Sequence, residues 1–79
     1  MTVYVDQSRW RLGRMIMCHM MADTEEELHE MAAKLGLKRE WFQPHRPHYD
    51  ICKTKRALAL KLGAVEEDTK ACLRRLKLR

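Results

Sequence analysis

No uninterrupted apolar stretch of this sequence approaches the roughly 20 residues of a membrane span. Its opening, Met-Thr-Val-Tyr-Val-Asp, has neither a basic region nor an apolar run, so nothing there reads as a signal peptide. Both absences make a soluble, cytoplasmic protein with no membrane partner the expectation. Cysteine is sparse: Cys18, Cys52 and Cys72 are an odd number with no CxxC spacing. That excludes a disulfide framework and a zinc knuckle, and leaves reduced, small apolar residues. Aromatics make up 6% of the chain, too few for a stacking platform for single-stranded nucleic acid. A phosphate-gripping glycine loop, a Ser or Cys nucleophile motif and a clear carboxylate pair are all missing. The sequence therefore assigns no catalytic residue and no cofactor.

The chain is also short. Its 79 residues make one small domain, whose core struggles to hold several groups in fixed geometry, and this weighs against a complete enzyme. A domain of this size buries only about 60% of its unfolded surface. Homo-oligomerisation or a ligand is expected to supply part of the stability.

What is present is a globular apolar content of 46% and an uneven charge. Sixteen Lys and Arg against eleven Asp and Glu give a net charge of +5. Six acids lie between Asp23 and Glu40, whereas residues 70–79 carry five bases and no acid. Lys53, Lys55, Arg56 and Lys61 form a second basic group, and Arg9, Arg11 and Arg14 a third. Clustered cations of this kind meet phosphate, in nucleic acid or in a smaller nucleotide.

The pattern predicts an α+β fold of short strands and two or three helices. Thr2–Val5 is β-branched and aromatic, hence a strand. Asp6–Gly13 is polar and basic, a loop or irregular edge. Met15–Ala22 is an apolar run broken only by His19 and suits a buried strand. Thr24 with Glu27 three residues on is a capping-box pattern, and Leu28, Met31, Ala32 and Leu35 repeat at helical spacing up to Gly36. A helix over 25–35 follows. Lys38–Phe42 reads as a short strand or turn with Trp41 and Phe42 buried. Two prolines, Pro44 and Pro47, then stiffen a loop that exits through a brief strand at His48–Ile51. Thr54 can cap a second helix over 55–62, stopped by Gly63, and a third helix is predicted over 67–77. Both of the first two helices end on Lys-Leu-Gly.

The chemistry concentrates between Trp41 and Arg56. Lys53, Lys55 and Arg56 crowd the start of the second helix, where cations oppose the positive dipole end. A bound anion resolves that conflict, because free amides and cations then converge on it. His45 and His48 can donate to phosphate, Tyr49 or Trp10 can stack on a base, and Asp50 can accept from a base or hold His48. His45-x-x-His48-x-Asp50 also offers three metal ligands within six residues. The neighbouring cations oppose a metal there, so none is assigned. His19 and His29 read as structural, and the methionines of residues 15–31 as adaptable core.

The order of Met-Thr-Val-Tyr-Val-Asp, Ala-Asp-Thr-x-Glu-Glu-Leu-His, Leu-Gly-Leu, Trp-Phe-Gln, Pro-His-Tyr-Asp and Lys-Arg-Ala-Leu-Ala-Leu-x-Leu-Gly-Ala resembles a small family of bacterial, archaeal and phage proteins. The family is catalogued as domain of unknown function 4031 and marked by a His-Tyr-Asp motif, which falls here on His48, Tyr49 and Asp50. The likeness covers roughly residues 1–65 and leaves 66–79 as a basic C-terminal helix or tail outside it. The phage setting implies counter-defence, one form of which is an oligomeric sponge that sequesters nucleotide immune signals.

The expectation is a non-enzymatic homo-oligomer that captures a phosphate-bearing small ligand, a nucleotide or cyclic oligonucleotide. His45, His48, Tyr49, Asp50, Lys53, Lys55, Arg56 and Trp10 would bind it. The alternatives are a basic nucleic-acid-binding protein and a metal-dependent nuclease or phosphoesterase.

Overall fold

The computed structural model of the chain describes residues 2–77. Its elements are β1 (Val3–Val5), β2 (Trp10–Leu12), β3 (Met15–Ala22), α1 (Glu25–Lys34), a 3-10 turn (Arg39–Trp41), β4 (Tyr49–Cys52), α2 (Lys53–Lys61), β5 (Val65–Glu66) and α3 (Thr69–Lys77). The fold is α+β: a mixed five-stranded sheet with three helices.

The longest strand, β3, is the spine. Met17 pairs with both Trp10 and Cys52, and Met20 with both Val5 and Tyr49. A strand has two edges, so β4 fills one of them while β1 and β2 follow each other along the other. Together β1 and β2 are one antiparallel partner of β3, broken at Asp6–Arg9, where the chain is longer than the facing stretch of β3. Such a bulge bends the strand and frees side chains from the regular pleat. The β2–β3 turn is Gly13-Arg14, in which only the glycine takes positive φ, at 62°. That suits a type II′ hairpin, whose first turn position needs glycine. β5 adds to β1 in parallel.

Alternation along the strands sets the two faces of the sheet. Val5, Cys18, Met20, Tyr49 and Ile51 face α1 and α2 and meet Leu28, Leu35 and Ala59 in the main core. Each fully buried large residue there contributes roughly 1.5–3 kcal/mol. The other face presents Tyr4 and Met21, against which Cys72 of α3 packs as a smaller second core. Farther along the same face of β3 come His19 and Met17. α3 is thus tied into the body, although residues 78–79 of the expected basic tail lie outside the described residues.

Several expectations are corrected. The segment expected as a loop or irregular edge over 6–13 carries the edge strand β2, and α2 begins at Lys53 with Cys52, not Thr54, as its N-cap. Trp41, expected in the core, is 51% exposed. Both Lys-Leu-Gly helix ends share one cause. The amides of Leu37 and Ala64 bond back to the carbonyls of Ala32 and Ala59, with Gly36 and Gly63 at positive φ making the reversal.

Candidate metal centre

The His48-Tyr49-Asp50 run enters β4, so its side chains alternate. Tyr49 points into the core, 1% exposed, and its hydroxyl meets His29 Nδ1 at 2.9 Å. The expectation that Tyr49 stacks on a ligand is therefore corrected: its ring packs inside, beside Phe42 and His29. His48 and Asp50 fall on the opposite face. There Asp50 stands directly across from His19 in the β3–β4 register. His19 Nε2 lies 4.0 Å from Asp50 Oδ1, and His48 Nε2 lies 3.2 Å from the same oxygen. One ligand atom from each of the three residues falls within 4.8 Å of the others.

Each of the three is held from behind. Asp6, fully buried in the bulge, accepts from His19 Nδ1 at 2.6 Å through one oxygen. Its other oxygen accepts from the His19 amide at 2.9 Å and the Ser8 hydroxyl at 2.7 Å. Burial alone would raise the Asp6 carboxyl, but the bonds from His19 and Ser8 outweigh it and hold the group below the usual carboxylate range. The bond to Asp6 likewise raises His19 above the ordinary imidazole value, against the opposing pull of burial. A carboxylate on Nδ1 leaves the His19 Nε2 lone pair facing Asp50. Nδ1 of His48 donates to the Arg46 carbonyl, which fixes the same tautomer there. Asp50 Oδ2 accepts from Gln43 Nε2 at 2.8 Å, while Oδ1 is buried with no hydrogen bond. Its 3.2 Å contact with His48 Nε2 is thus close without being a hydrogen bond.

Two imidazole nitrogens and one carboxylate oxygen, each backed by an outer partner, are of the chemistry that can ligate a divalent transition metal. Around such an ion, with bonds of about 2.1 Å, neighbouring ligand atoms sit roughly 3–3.5 Å apart. The His48–Asp50 spacing already fits; the His19–Asp50 distance of 4.0 Å is about half an ångström too long, and the widest spacing in the set, 4.8 Å, must close by more than an ångström.

The other expected site residues are distributed differently. His45 is exposed in the turn that the Gln43–His48 bridge closes, and it is His19 that stands with His48 and Asp50. Trp10 does reach the site, but its ring lies against His19 with centroids 4.5 Å apart, positioning the imidazole. Arg56 is partly engaged: Nε donates to the Asp6 carbonyl at 3.1 Å, and its guanidinium pairs with Glu66 at 3.4 Å. With Arg9, Lys53 and Ser8 it lines a recess of about 80 Å³, far below the roughly 300–1,000 Å³ of small-molecule sites. Lys55 goes elsewhere, its ammonium lying 3.8 Å from where a Gly36 Cβ would stand, at the C-terminal end of α1. The three cations of α2 therefore do not converge on one point. Cys18 and Cys72 are buried, as small apolar residues are expected to be, and Cys52 is half-buried. Burial pushes the Cys18 thiol up to about 12.

His19 and Asp6 are the residues that reading the sequence missed. The signal for His19 was its place in β3: two residues from Met17 and Met21, it shares their face and not that of the main core. Asp6 gave no local signal.

Fold and site together define a small α+β domain that carries a His-His-Asp ligand cluster on a sheet face. The chain belongs to the family described as Protein of unknown function (DUF4031), whose model matches residues 3–79. The match runs through α3, so the segment after residue 65 is part of the shared pattern and not an addition to it. No curated protein and no solved structure matches the chain. Among the described residues, no helix is long and apolar enough to cross a membrane.

Proposed function

We propose that the chain is a divalent-metal-dependent phosphoesterase whose metal is held by His19, His48 and Asp50. The observation that carries this reading is the meeting of three ligand atoms whose residues are each anchored from behind. Three protein ligands leave positions open for water and a substrate oxygen, the pattern of catalytic rather than structural metal sites. When bound there, the ion would supply Lewis acidity and a hydroxide at neutral pH. Attack on phosphorus forms one P–O bond and breaks the ester P–O bond, the departing oxygen taking a proton from water. The net charge of +5, with Arg9, Lys53 and Lys55 near the strands that carry the ligands, favours a phosphate substrate over a neutral one.

A second reading keeps the capture of a nucleotide without turnover, by a homo-oligomer acting as a sponge. The start of α2 supports it: Cys52 makes no side-chain cap, the first turn holds no acid, and Lys53 lines one recess with Arg9 and Arg56. Binding to nucleic acid is the third. Steep loss of affinity with salt is its mark.

One experiment separates them: titration of the protein with Zn²⁺ and Mn²⁺, followed by hydrolysis of bis(p-nitrophenyl) phosphate with and without EDTA. Stoichiometric metal binding, lost in His48→Ala, with turnover abolished by EDTA is the expected result. Phosphate binding without turnover would favour capture, and absence of metal binding would remove the metal centre.

A further inference from the structure

Beside the metal cluster a cleft of about 500 Å³ runs along the β4 side of the sheet. Apolar side chains make most of its wall: Leu12, Met15 and Met17 from the hairpin, and Leu37 and Trp41 from the segment after α1. Leu12, Met15 and Trp41 are 56, 46 and 51% exposed, so large apolar surface stands open to water here. Isolated exposed apolar residues need no explanation, but a contiguous group lining a concavity does. The polar groups on the wall are few, chiefly Gln43, Asp50 and Lys55. Asp50 belongs to both places: Oδ1 faces the two histidines, and the residue also lines the cleft. A molecule whose phosphate meets the metal can therefore lay an attached apolar group along the cleft without leaving the site.

We infer that the substrate is a nucleoside phosphate, its base in this cleft against Trp41 and the methionines and its phosphate on the metal. The inference rests on the phosphoesterase reading and names its substrate class. An indole face and thioether side chains receive a flat aromatic ring favourably. Lys55 adds a cation at the rim, opposite in sign to the phosphate that passes it. A flat, partly polar ring tethered to an anion fits this wall better than an alkyl chain, which would leave the polar groups unanswered, or a sugar phosphate, which would leave the apolar ones wet.

The test is calorimetric titration of the Zn²⁺-loaded full chain with adenosine 5′-monophosphate and with ribose 5-phosphate, which lacks the base. The nucleotide should bind tenfold or more tightly than the sugar phosphate, as expected when one base stacks on an aromatic side chain. In Trp41→Ala, whose parent side chain is half exposed, the ratio should fall to within about threefold. Equal affinities in the parent protein would overturn the base site while leaving the metal-phosphate reading intact. Binding of neither compound by metal-loaded protein would overturn both. A cleft closed by a second copy, seen as a dimer that either phosphate leaves undisturbed with no nucleotide preference, would also overturn the inference.

Discussion

At the scale of single residues the site turns on Asp6, a buried acid whose oxygens each accept from His19. Asp6→Asn is a discriminating change because it keeps the shape and removes the charge. Its amide nitrogen would face His19 Nδ1, forcing that nitrogen to accept and Nε2 to carry the proton, so that Nε2 has no lone pair to offer a metal. Zinc affinity measured by calorimetry should fall by about 10–100-fold, the usual effect of losing an outer-shell partner. Asp6→Ala should in addition destabilise the fold by about 1–3 kcal/mol in urea denaturation, because it orphans the part-buried His19 amide. Unchanged zinc affinity in Asp6→Asn would mean that the imidazole is oriented by Trp10 alone. Asp6 also marks where reading the sequence stops. His48 and Asp50 were legible because residues two apart in a strand share a face. Tyr49 sits between them and by the same rule faces the core, but burial is not visible in one motif, so the sequence alone leaves it among the candidate ligand contacts. His19 and Asp6 meet only through the pairing of β1 and β2 with β3, which no local pattern records.

At the scale of elements, the first two helices show opposite treatments of the same electrostatic rule. α1 begins with Glu25, Glu26 and Glu27 behind Thr24, whose hydroxyl accepts from the Glu27 amide at 3.3 Å and donates to the Glu27 carboxylate at 3.0 Å. α2 begins with cations and has no side-chain cap. Lys53→Glu should therefore stabilise the free protein by about 0.3–1 kcal/mol, from dipole complementarity, while weakening phosphate binding. Denaturation and phosphate titration of one variant would measure both, and a variant that gained stability without losing phosphate would remove α2 from the anion-binding surface. The helix ends make a second test. Gly36 has φ of 76° and Gly63 of 106°, and neither would meet a clash if given a Cβ. Alanine at either position is strained by backbone conformation alone, at about 1 kcal/mol or more. Gly63→Ala should be the costlier, since its φ lies farther from the left-handed helical minimum. α1, β3 and both glycine stops were legible because caps and periodicity are local. β2 and β5 were not: three and two residues long, they exist only through pairing with β3 and β1.

At the scale of the molecule the question is what a domain this small adds to a modest core. Two sources stand out on its surface, and they predict different behaviour. One is the metal: an ion that binds only the folded state stabilises by RT ln(1 + [L]/Kd), about 2.7 kcal/mol at 100 times Kd. In a domain of this size that is a rise in Tm on the order of ten degrees. Zinc bound to the cysteines and histidines of the unfolded chain would reduce the rise, so Mn²⁺, which prefers oxygen ligands, is the better control. His48→Ala should abolish it with either ion. The other source is a second copy. Leu58, Leu62 and Val65 are 38, 43 and 47% exposed around the end of α2 and the start of β5. If a partner covers them, the Tm of metal-free protein should climb with protein concentration, and Leu62→Lys should flatten that dependence without touching the metal effect. The two effects can be read from one set of melting curves. A Tm indifferent to concentration but sensitive to metal would locate the missing stability at the His-His-Asp cluster, and the reverse would place it at the α2–β5 surface.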